Sequence, residues 1–367
     1  MAGSIFGKLF RISTWGESHG KALGVVIDGC PAGLPLSEAD IQPLLDRRKP
    51  GQSAFTTQRQ EGDEAEILSG VFEGRTTGTP ISILVKNTDQ RSRDYGNLAH
   101  TYRPGHADYP FDVKYGFRDY RGGGRSSGRE TLARVAGGAV AQKLLAQVGI
   151  RVRAYAQSIG PVAVDPSRFS WEACPQNPLW MPDRLAAAEA AAYLQACARK
   201  QDSVGGVVAC VAEGLPVGLG EPVFDKLDAR LGAALLSIGA VKGVEIGDGF
   251  AAALACGSQN NDAYLFGKNG IEKATNHAGG VLGGMSDGAP LLVRVAFKPT
   301  PSIARPQQTV TDTGEETTLS IAGRHDPIIV PRAVVVVEAM TSLVLADLLL
   351  ENMTARMDSV RRFYQPM

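Results

Sequence analysis

A strand–turn–helix pattern that occurs twice constrains the fold of this chain of 367 residues more than any other feature. Segment 24–34 is an apolar run that ends in the turn Asp-Gly-x-Pro-x-Gly-Leu, and segment 207–219 ends in the matching turn Glu-Gly-x-Pro-x-Gly-Leu. Each copy predicts a strand that leads through a glycine turn into a helix. Two copies about 185 residues apart indicate an ancient duplication and a pseudo-two-fold core, and a chance match is the alternative.

Further apolar runs and amphipathic segments lie between and after the two copies. No linker-like stretch separates the copies, so we expect a single domain over 1–367. Its related halves would cover roughly 7–150 and 200–351, with a tail at 352–367. We predict strands at 24–28, 80–85, 205–213 and 290–297, and helices at 38–48, 130–147, 184–200, 224–236 and 332–351.

The composition excludes several classes of protein. Basic and acidic residues both number 38, so no net charge holds the chain to nucleic acid or to a membrane surface. A hydrophobic fraction of 44% is too high for a disordered chain. The five cysteines are odd in number and form no CxxC, which argues against a disulfide framework and against a zinc site.

The hydropathy pattern indicates neither a secretory signal nor a membrane span. The start of the chain carries Lys8, Arg11 and Glu17 and lacks an uninterrupted apolar core. Charged residues interrupt the longest apolar runs, near 328–337 and 339–350, before 18 residues are reached. We therefore expect a soluble, cytoplasmic protein.

Segment 87–129 is long and polar, and it has little apolar periodicity. Loops of this length inside a compact chain are usually functional or disordered. Aromatic side chains recur throughout the segment, which favours a folded, functional loop. These aromatic residues are Tyr95, Tyr102, Tyr109, Phe111, Tyr115, Phe117 and Tyr120.

Two histidines lie in turns that leave room for a ligand. His19 precedes Gly20, and His106 follows Gly105. An imidazole in such a turn can bind a phosphate or transfer a proton near neutral pH. Asp108 either orients the His106 ring or caps the turn, and an ordinary surface turn is the alternative at both places.

The run from Arg121 to Glu130 predicts an anion site. Three glycines lead into a helix start, where Ser127 and Glu130 have the spacing of a capping box. Helix N-termini bind anions, and Arg125 and Arg129 add positive charge. An anionic small ligand explains this arrangement, and a flexible arm that binds nucleic acid is the alternative.

Three later segments also carry chemistry. Segment 276–284 is rich in glycine, and segment 298–302 offers a cation and two hydroxyl groups. Segment 323–327 places a guanidinium, an imidazole and a carboxylate at consecutive positions. A surface salt bridge is the alternative for this last segment, and no ligand spacing indicates a metal.

Taken in order, the motifs Gly16–Gly20, Arg103–Asp108, Arg121–Glu130 and Gly323–Pro327 resemble the chorismate synthase family, over nearly the whole chain. The resemblance implies an α+β fold, a β-α-β sandwich with internal pseudo-two-fold duplication, usually a homotetramer. It implies a carbon–oxygen lyase that releases phosphate from 5-enolpyruvylshikimate 3-phosphate by anti 1,4-elimination. The product would be chorismate, in the shikimate pathway of aromatic amino-acid biosynthesis. The reaction would require reduced FMN without net redox change, and an external NAD(P)H-dependent or other reductase would supply it.

The resemblance also implies roles for individual residues. His19 would protonate the departing phosphate, and His106 would contact the N1 region of the reduced flavin. Asp326, with Ser127 nearby, would help flavin N5 to accept the substrate proton. The arginines that would bind substrate or NADP are Arg48, Arg103 and Arg129. The flavin-binding residues would be Arg125, Ser126, Ser127, Gly239, Ala240, Gly283, Lys298, Pro299, Thr300, Pro301, Ser302 and Arg324.

The chain departs from the family pattern at two binding positions. Ala54 stands where bacterial relatives often carry a basic residue, so a phosphate or NADP contact is lost or is supplied by Lys49 or Arg59. Gly239 stands where some relatives have asparagine, which would remove one polar contact with the flavin. Two other classes stay open: a flavoprotein oxidoreductase that consumes NADPH stoichiometrically, and a non-catalytic protein that binds phosphate or RNA.

Overall fold

Two antiparallel five-stranded sheets form the outer layers of the molecule. The computed structural model describes residues 3–51, 61–88, 98–267, 270–321 and 327–365. In bonded order, the first sheet contains β1 (Ile5–Phe6), β2 (Arg11–Gly16), β3 (Ala22–Asp28), β7 (Ile81–Lys86) and β4 (Glu66–Ile67). The second sheet contains β11 (Val241–Ile246), β16 (Leu291–Phe297), β10 (Gly206–Glu213), β8 (Arg151–Ile159) and β9 (Val162–Ala163).

Helices fill the space between the two sheets. The α-helices of the described residues are α1 (Glu38–Arg48), α2 (Asp108–Tyr115), α3 (Thr131–Ala146), α4 (Arg184–Arg199), α5 (Leu227–Leu236), α6 (Gly257–Asn260), α7 (Val330–Asn352) and α8 (Met357–Tyr364). Helix α3 packs on β2 and β3, α7 packs on β8 and β10, and the two helices pack against each other. One continuous cluster of buried apolar side chains joins both sheets to α1, α3, α4, α5 and α7. The predicted β-α-β sandwich of α+β class is therefore confirmed.

Among the described residues, four two-stranded hairpins lie outside the two main sheets. They are β5 (Val71–Phe72) with β6 (Arg75–Thr76), β12 (Tyr264–Gly267) with β13 (Gly270–Lys273), β14 (Val281–Leu282) with β15 (Met285–Ser286), and β17 (Gln307–Val310) with β18 (Glu316–Leu319). The predicted strands and helices are confirmed, with ends that shift by at most three residues.

Helix α7 is the central helix of the core. Its most apolar window has a mean hydropathy of 2.2, enough by length and composition to cross a membrane, but 89% of that window is buried inside the protein. The charged residues that were expected to interrupt this segment lie within the helix and have partners. The Glu338 carboxylate accepts from Arg47 at 2.7 Å, and Asp347 accepts from the backbone N–H groups of Leu9 at 2.7 Å and Phe10 at 2.9 Å. These contacts fix α7 to α1 and to the start of the first sheet.

Two local features differ from the sequence predictions. The expected tail contains a helix, α8, which has no buried residue. The capping box at Ser127 and Glu130 was wrong, because Ser127 instead accepts from the N–H of Arg129 at 3.3 Å, at the start of a 3₁₀ turn. The Glu130 carboxylate turns towards the first sheet and accepts from the Thr14 hydroxyl at 3.1 Å, which delays the start of α3 to Thr131.

The two sheets have matching features. Strand β3 leads into α1 and β10 leads into α5, and each strand is followed by a hairpin that returns to its glycine turn. In the first hairpin the Thr76 hydroxyl donates to the Pro31 carbonyl at 2.6 Å; in the other the Ser286 hydroxyl donates to the Pro216 carbonyl at 2.5 Å. The duplication stays a prediction, and these contacts support it. On this matching the second half would begin with β8, earlier than residue 200.

The N-terminus of α4 makes the stability of the fold depend on pH. The buried Asp183 carboxylate accepts from the N–H groups of Leu185 at 3.0 Å and Ala186 at 3.2 Å and from Arg168 at 2.7 Å. The Arg168 hydrogen bond, with the backbone N–H groups, lowers the pKa of Asp183 to about 2. Because this pKa lies below the unfolded value of about 3.9, the ionised carboxylate stabilises the fold above pH 4. That stabilisation is lost as the pH falls from about 4 to about 2.

We therefore expect Asp183→Asn to have a lower Tm than the parent protein at pH 7, and the difference to shrink as the pH falls below 4. Thermal unfolding between pH 7 and pH 2 measures this difference. Glu66→Gln is the control, because Glu66 pairs with Lys86 on the surface at 3.4 Å and such pairs contribute little. A difference in Tm for Asp183→Asn that stays constant down to pH 2 would contradict the expectation.

Candidate functional site

The loop between β2 and β3 carries His19. The turn closes through the N–H of Gly20, which donates to the Glu17 carbonyl at 3.1 Å, and Nδ1 of His19 lies 3.2 Å from the Ser18 hydroxyl. The His19 ring packs directly on Gly122, where a methyl group would lie 2.6 Å from Nδ1. Gly122 has a φ of +73°, so both its conformation and the adjacent ring require glycine.

The second histidine is held by a buried carboxylate. His106 Nδ1 lies 2.8 Å from Oδ1 of Asp108, which also accepts from Arg103 Nη2 at 2.6 Å. Burial alone would raise the pKa of Asp108, but the hydrogen bonds from Arg103 and His106 outweigh it and hold this pKa far below its usual range. An ionised carboxylate only accepts, so Nδ1 carries the proton. The other nitrogen, Nε2, faces Gly123.

The two imidazoles therefore lie against consecutive residues, Gly122 and Gly123. Arg103 ties this dipeptide to the His106 turn, because its Nη2 also donates to the Gly122 carbonyl at 2.8 Å. The structure therefore brings two of the predicted site residues, His19 and His106, to neighbouring positions on one glycine turn. The third predicted member, Asp326, and the neighbouring Arg324 lie outside the described residues, as does Ala54.

Segment 298–302 meets the His106 turn from the other half of the chain. Lys298 Nζ donates to the Gly105 carbonyl at 2.7 Å, and Pro301 packs on the same glycine. The N–H of Lys298 donates to the Ala240 carbonyl at 2.9 Å, where Ala240 has a left-handed φ of +71°. The structure thus joins the predicted flavin-binding segments around Gly239 and Lys298 to the His106 turn.

The Arg125–Ser127 segment is bound to the first sheet and to its own turn. Arg125 donates to the Thr14 hydroxyl at 2.7 Å and to the Gly16 carbonyl at 3.1 Å. The Ser126 hydroxyl donates to the Gly123 carbonyl at 2.7 Å, and Ser127 accepts from the backbone, as described above. These contacts fix the glycine turn on which both histidines rest.

A cluster of buried charges lies behind the His19 turn. Arg48 and Arg129 both donate to the carboxylate of Asp63, and all three side chains are at most 5% exposed. Burial lowers the pKa of Arg48 to about 10, and the nearby charges of Arg129 and Arg332 act in the same direction. The attraction of Asp63 opposes this shift but does not cancel it. Arg48 therefore stays charged at neutral pH. Its Nε and Nη1 atoms have no hydrogen-bond partner among the described residues, as a site for an anion requires.

Two predicted binding residues, Arg103 and Gly283, have mainly structural surroundings. Arg103 is buried and bound to Asp108 and Gly122, so it supports the His106 turn. Gly283 lies in the β14–β15 hairpin, and its neighbour Gly284 accepts from the N–H of Leu227 at the start of α5. Ala240 follows the other end of α5, a helix of ten residues that is about 15 Å long.

Sequence reasoning missed Asp63 and Asn87. Asp63 has a left-handed φ of +47° and lies between Arg48 and Arg129, and no local motif indicates that it pairs with them. Asn87 directly follows β7 and links Arg129 to the His19 turn. The sequence offered one signal for Asn87, a polar residue directly after the apolar run that forms β7.

In the part of the chain that the structure describes, no group of three or more His, Cys, Asp or Glu side chains could hold a metal ion. Two imidazoles on one glycine turn, with buried arginine donors nearby, are typical of an enzyme that acts on an anionic small molecule. The family model described as "Chorismate synthase" matches residues 10–350. The chain belongs to the chorismate synthase family.

Relatives and a solved structure agree with this assignment. The chain is 61% identical over 365 residues to a chorismate synthase of Agathobacter rectalis, which it covers completely. It is 58% identical over 347 residues to one from Gluconacetobacter diazotrophicus, covering 95% of this chain and 97% of the other. A "Crystal Structure of Chorismate Synthase" superposes with a TM-score of 0.77 at 35% identity, covering 97% of this chain and 96% of that one. The activity is therefore that of a lyase in the shikimate pathway.

Proposed function

We propose that this chain binds 5-enolpyruvylshikimate 3-phosphate beside Gly122 and Gly123 and releases its phosphate by anti 1,4-elimination. The observation that supports this proposal most is the convergence of His19 and His106 on these two glycines. Asn87 links the nearby His19 turn to Arg129, whose cluster leaves donors of Arg48 without a partner. A substrate with one phosphate and two carboxylates suits a site with this charge.

The proposal assigns a chemical role to each arginine, histidine and carboxylate of the site. Arg48 and Arg129 bind the phosphate or a carboxylate, and Arg48 keeps its charge at neutral pH. His19 donates a proton to the departing phosphate, which a histidine can do near neutral pH. His106 presents Nε2, because Asp108 holds the proton on Nδ1. Asp326, with Ser127 nearby, would help the flavin to accept the proton that leaves the substrate, as the family resemblance implies.

The residues around Lys298 fit a flavin. The Thr300 hydroxyl is buried without a hydrogen-bond partner among the described residues, and the space beside Gly239 is open. Reduced FMN, when bound, supplies transient electron density to an allylic system that lacks an acidic proton. The residues that hold it would be Arg125, Ser126, Ser127, Gly239, Ala240, Gly283, Lys298, Pro299, Thr300, Pro301, Ser302 and Arg324.

The remaining parts of the proposal concern the setting of the enzyme. An external NAD(P)H-dependent or other reductase provides the reduced FMN, NADP contacts fall to Arg48 and its neighbours, and the enzyme works in the cytoplasm. A homotetramer is supported by large apolar side chains that a monomer leaves exposed to water. Phe224, Leu254 and Phe266 are 93%, 91% and 87% exposed.

Anaerobic release of inorganic phosphate tests the proposed reaction. We expect the purified protein, with 5-enolpyruvylshikimate 3-phosphate and a catalytic amount of chemically reduced FMN, to release one phosphate per chorismate formed. Oxidised FMN without a reductant is the control and should support no release. If phosphate release is absent, or if one reduced FMN is oxidised for each phosphate released, the proposal is wrong.

A further inference from the structure

Asn87 closes the turn that carries His19. It is the first residue after β7, and its side-chain Nδ2 donates to the Gly20 carbonyl at 2.7 Å and to the Glu17 carbonyl at 3.2 Å. Its backbone N–H donates to the Lys21 carbonyl at 3.1 Å. Three carbonyls on both sides of His19 are thus bound by a single residue outside the turn.

The same side chain also holds Arg129. Its Oδ1 accepts from Nε of Arg129, whose Nη1 donates to Asp63 at 2.8 Å. Only one orientation of the amide fits, because the reverse would set its NH₂ group against a guanidinium donor and its oxygen against two carbonyls. An aspartate could not make these contacts, since a carboxylate has no proton to donate to the carbonyls of Glu17 and Gly20.

We propose that Asn87 is a positioning residue that fixes the distance between the His19 turn and the Arg129 guanidinium. The imidazole and the anion-binding arginine then act together on one substrate phosphate. This inference rests on the proposed function, in which His19 protonates the phosphate as it leaves. Misplacement of such groups by about 1 Å can lower a rate about 100-fold, so one amide can matter without touching the substrate.

Asn87→Ala tests the proposal through two quantities, the Kd for inorganic phosphate and the turnover number. We expect each to worsen about 10-fold or more, because both Arg129 and the His19 turn are released. Asn177→Ala is the matched control: that amide also donates to two carbonyls, of Ala173 at 2.7 Å and Met181 at 2.8 Å, in a loop outside the site. The control should lower the Tm but leave both quantities unchanged.

Two outcomes would overturn the proposal: a loss in only one of the two quantities, or equal losses in the Asn177→Ala control. If Asn87→Ala does not fold, Asn87→Asp replaces it with the same size and is expected to worsen both quantities. Amide hydrogen exchange at residues 17–21, expected to be faster in either variant, does not depend on catalysis. Hydrogen exchange and the phosphate Kd therefore test the positioning role of Asn87 even if the wild-type protein releases no phosphate and the proposed function is wrong.

Discussion

Gly122→Ala is expected to lower the turnover number about 100-fold, because the new methyl group would lie 2.6 Å from the His19 ring. The backbone cannot easily move away, since the Gly122 carbonyl accepts from the buried Arg103 at 2.8 Å. The His19 imidazole must therefore leave its place against Gly122. Steady-state phosphate release measures the loss, and a displaced imidazole should affect turnover more than the KM for the substrate.

Gly116→Ala separates this collision from simple backbone strain. Gly116 ends α2 with a φ of +69°, close to the +73° of Gly122, but no atom lies within 4 Å of the place a methyl group would take. Both variants should lose about 1–2 kcal/mol of stability from the left-handed conformation. Only Gly122→Ala should lose activity. Equal activity in the two variants would remove His19 from the proposed place.

His106→Ala is expected to lower turnover about 100-fold or more, the usual range for a lost proton-transfer group, with little change in Tm. The fold should survive, because Asp108 keeps its bonds to Arg103, which the histidine does not provide. Asp326→Ala carries the same expectation. Turnover and thermal unfolding of the same samples measure both effects.

His100→Ala is the matched control for His106. His100 also pairs with an aspartate, Asp312 at 2.8 Å, in the same long loop, but its side chain is 81% exposed. A loss of a histidine–aspartate pair at the surface should change neither activity nor Tm measurably. Wild-type turnover in His106→Ala would exclude the residue from the reaction.

The sequence predicted those parts of the fold that depend on local pattern. The 3.6-residue and two-residue periodicities located α4 and β16 to within a few residues, because each of these elements buries one apolar face. The glycine turns could also be predicted from local sequence, since a left-handed backbone at positions such as Gly122 needs glycine. The two histidine motifs were visible for the same reason.

Long-range pairing could not be predicted from these patterns. Nothing near Asp63 in the sequence shows that its carboxylate lies between Arg48 and Arg129, which come from different elements. Glu130 fits a capping box by spacing, but the strand that supplies Thr14 competes for its carboxylate. Arginine is a common anion ligand, but the Arg103 guanidinium already donates to the carboxylate of Asp108, five positions later in the chain.

The place of α7 in the chain determines when the protein can fold. Every described strand of both sheets precedes Val330 in the sequence, so the ribosome completes all of them before it makes α7, which packs on β8 and β10 of the second sheet and on α3. Until then the nascent chain exposes the apolar face of the second sheet and the side of α3 that α7 covers, and exposed surface of this kind promotes aggregation. Completion of the sandwich must therefore wait until this last segment has emerged. A premature stop codon before it would give an insoluble product and not a smaller working enzyme.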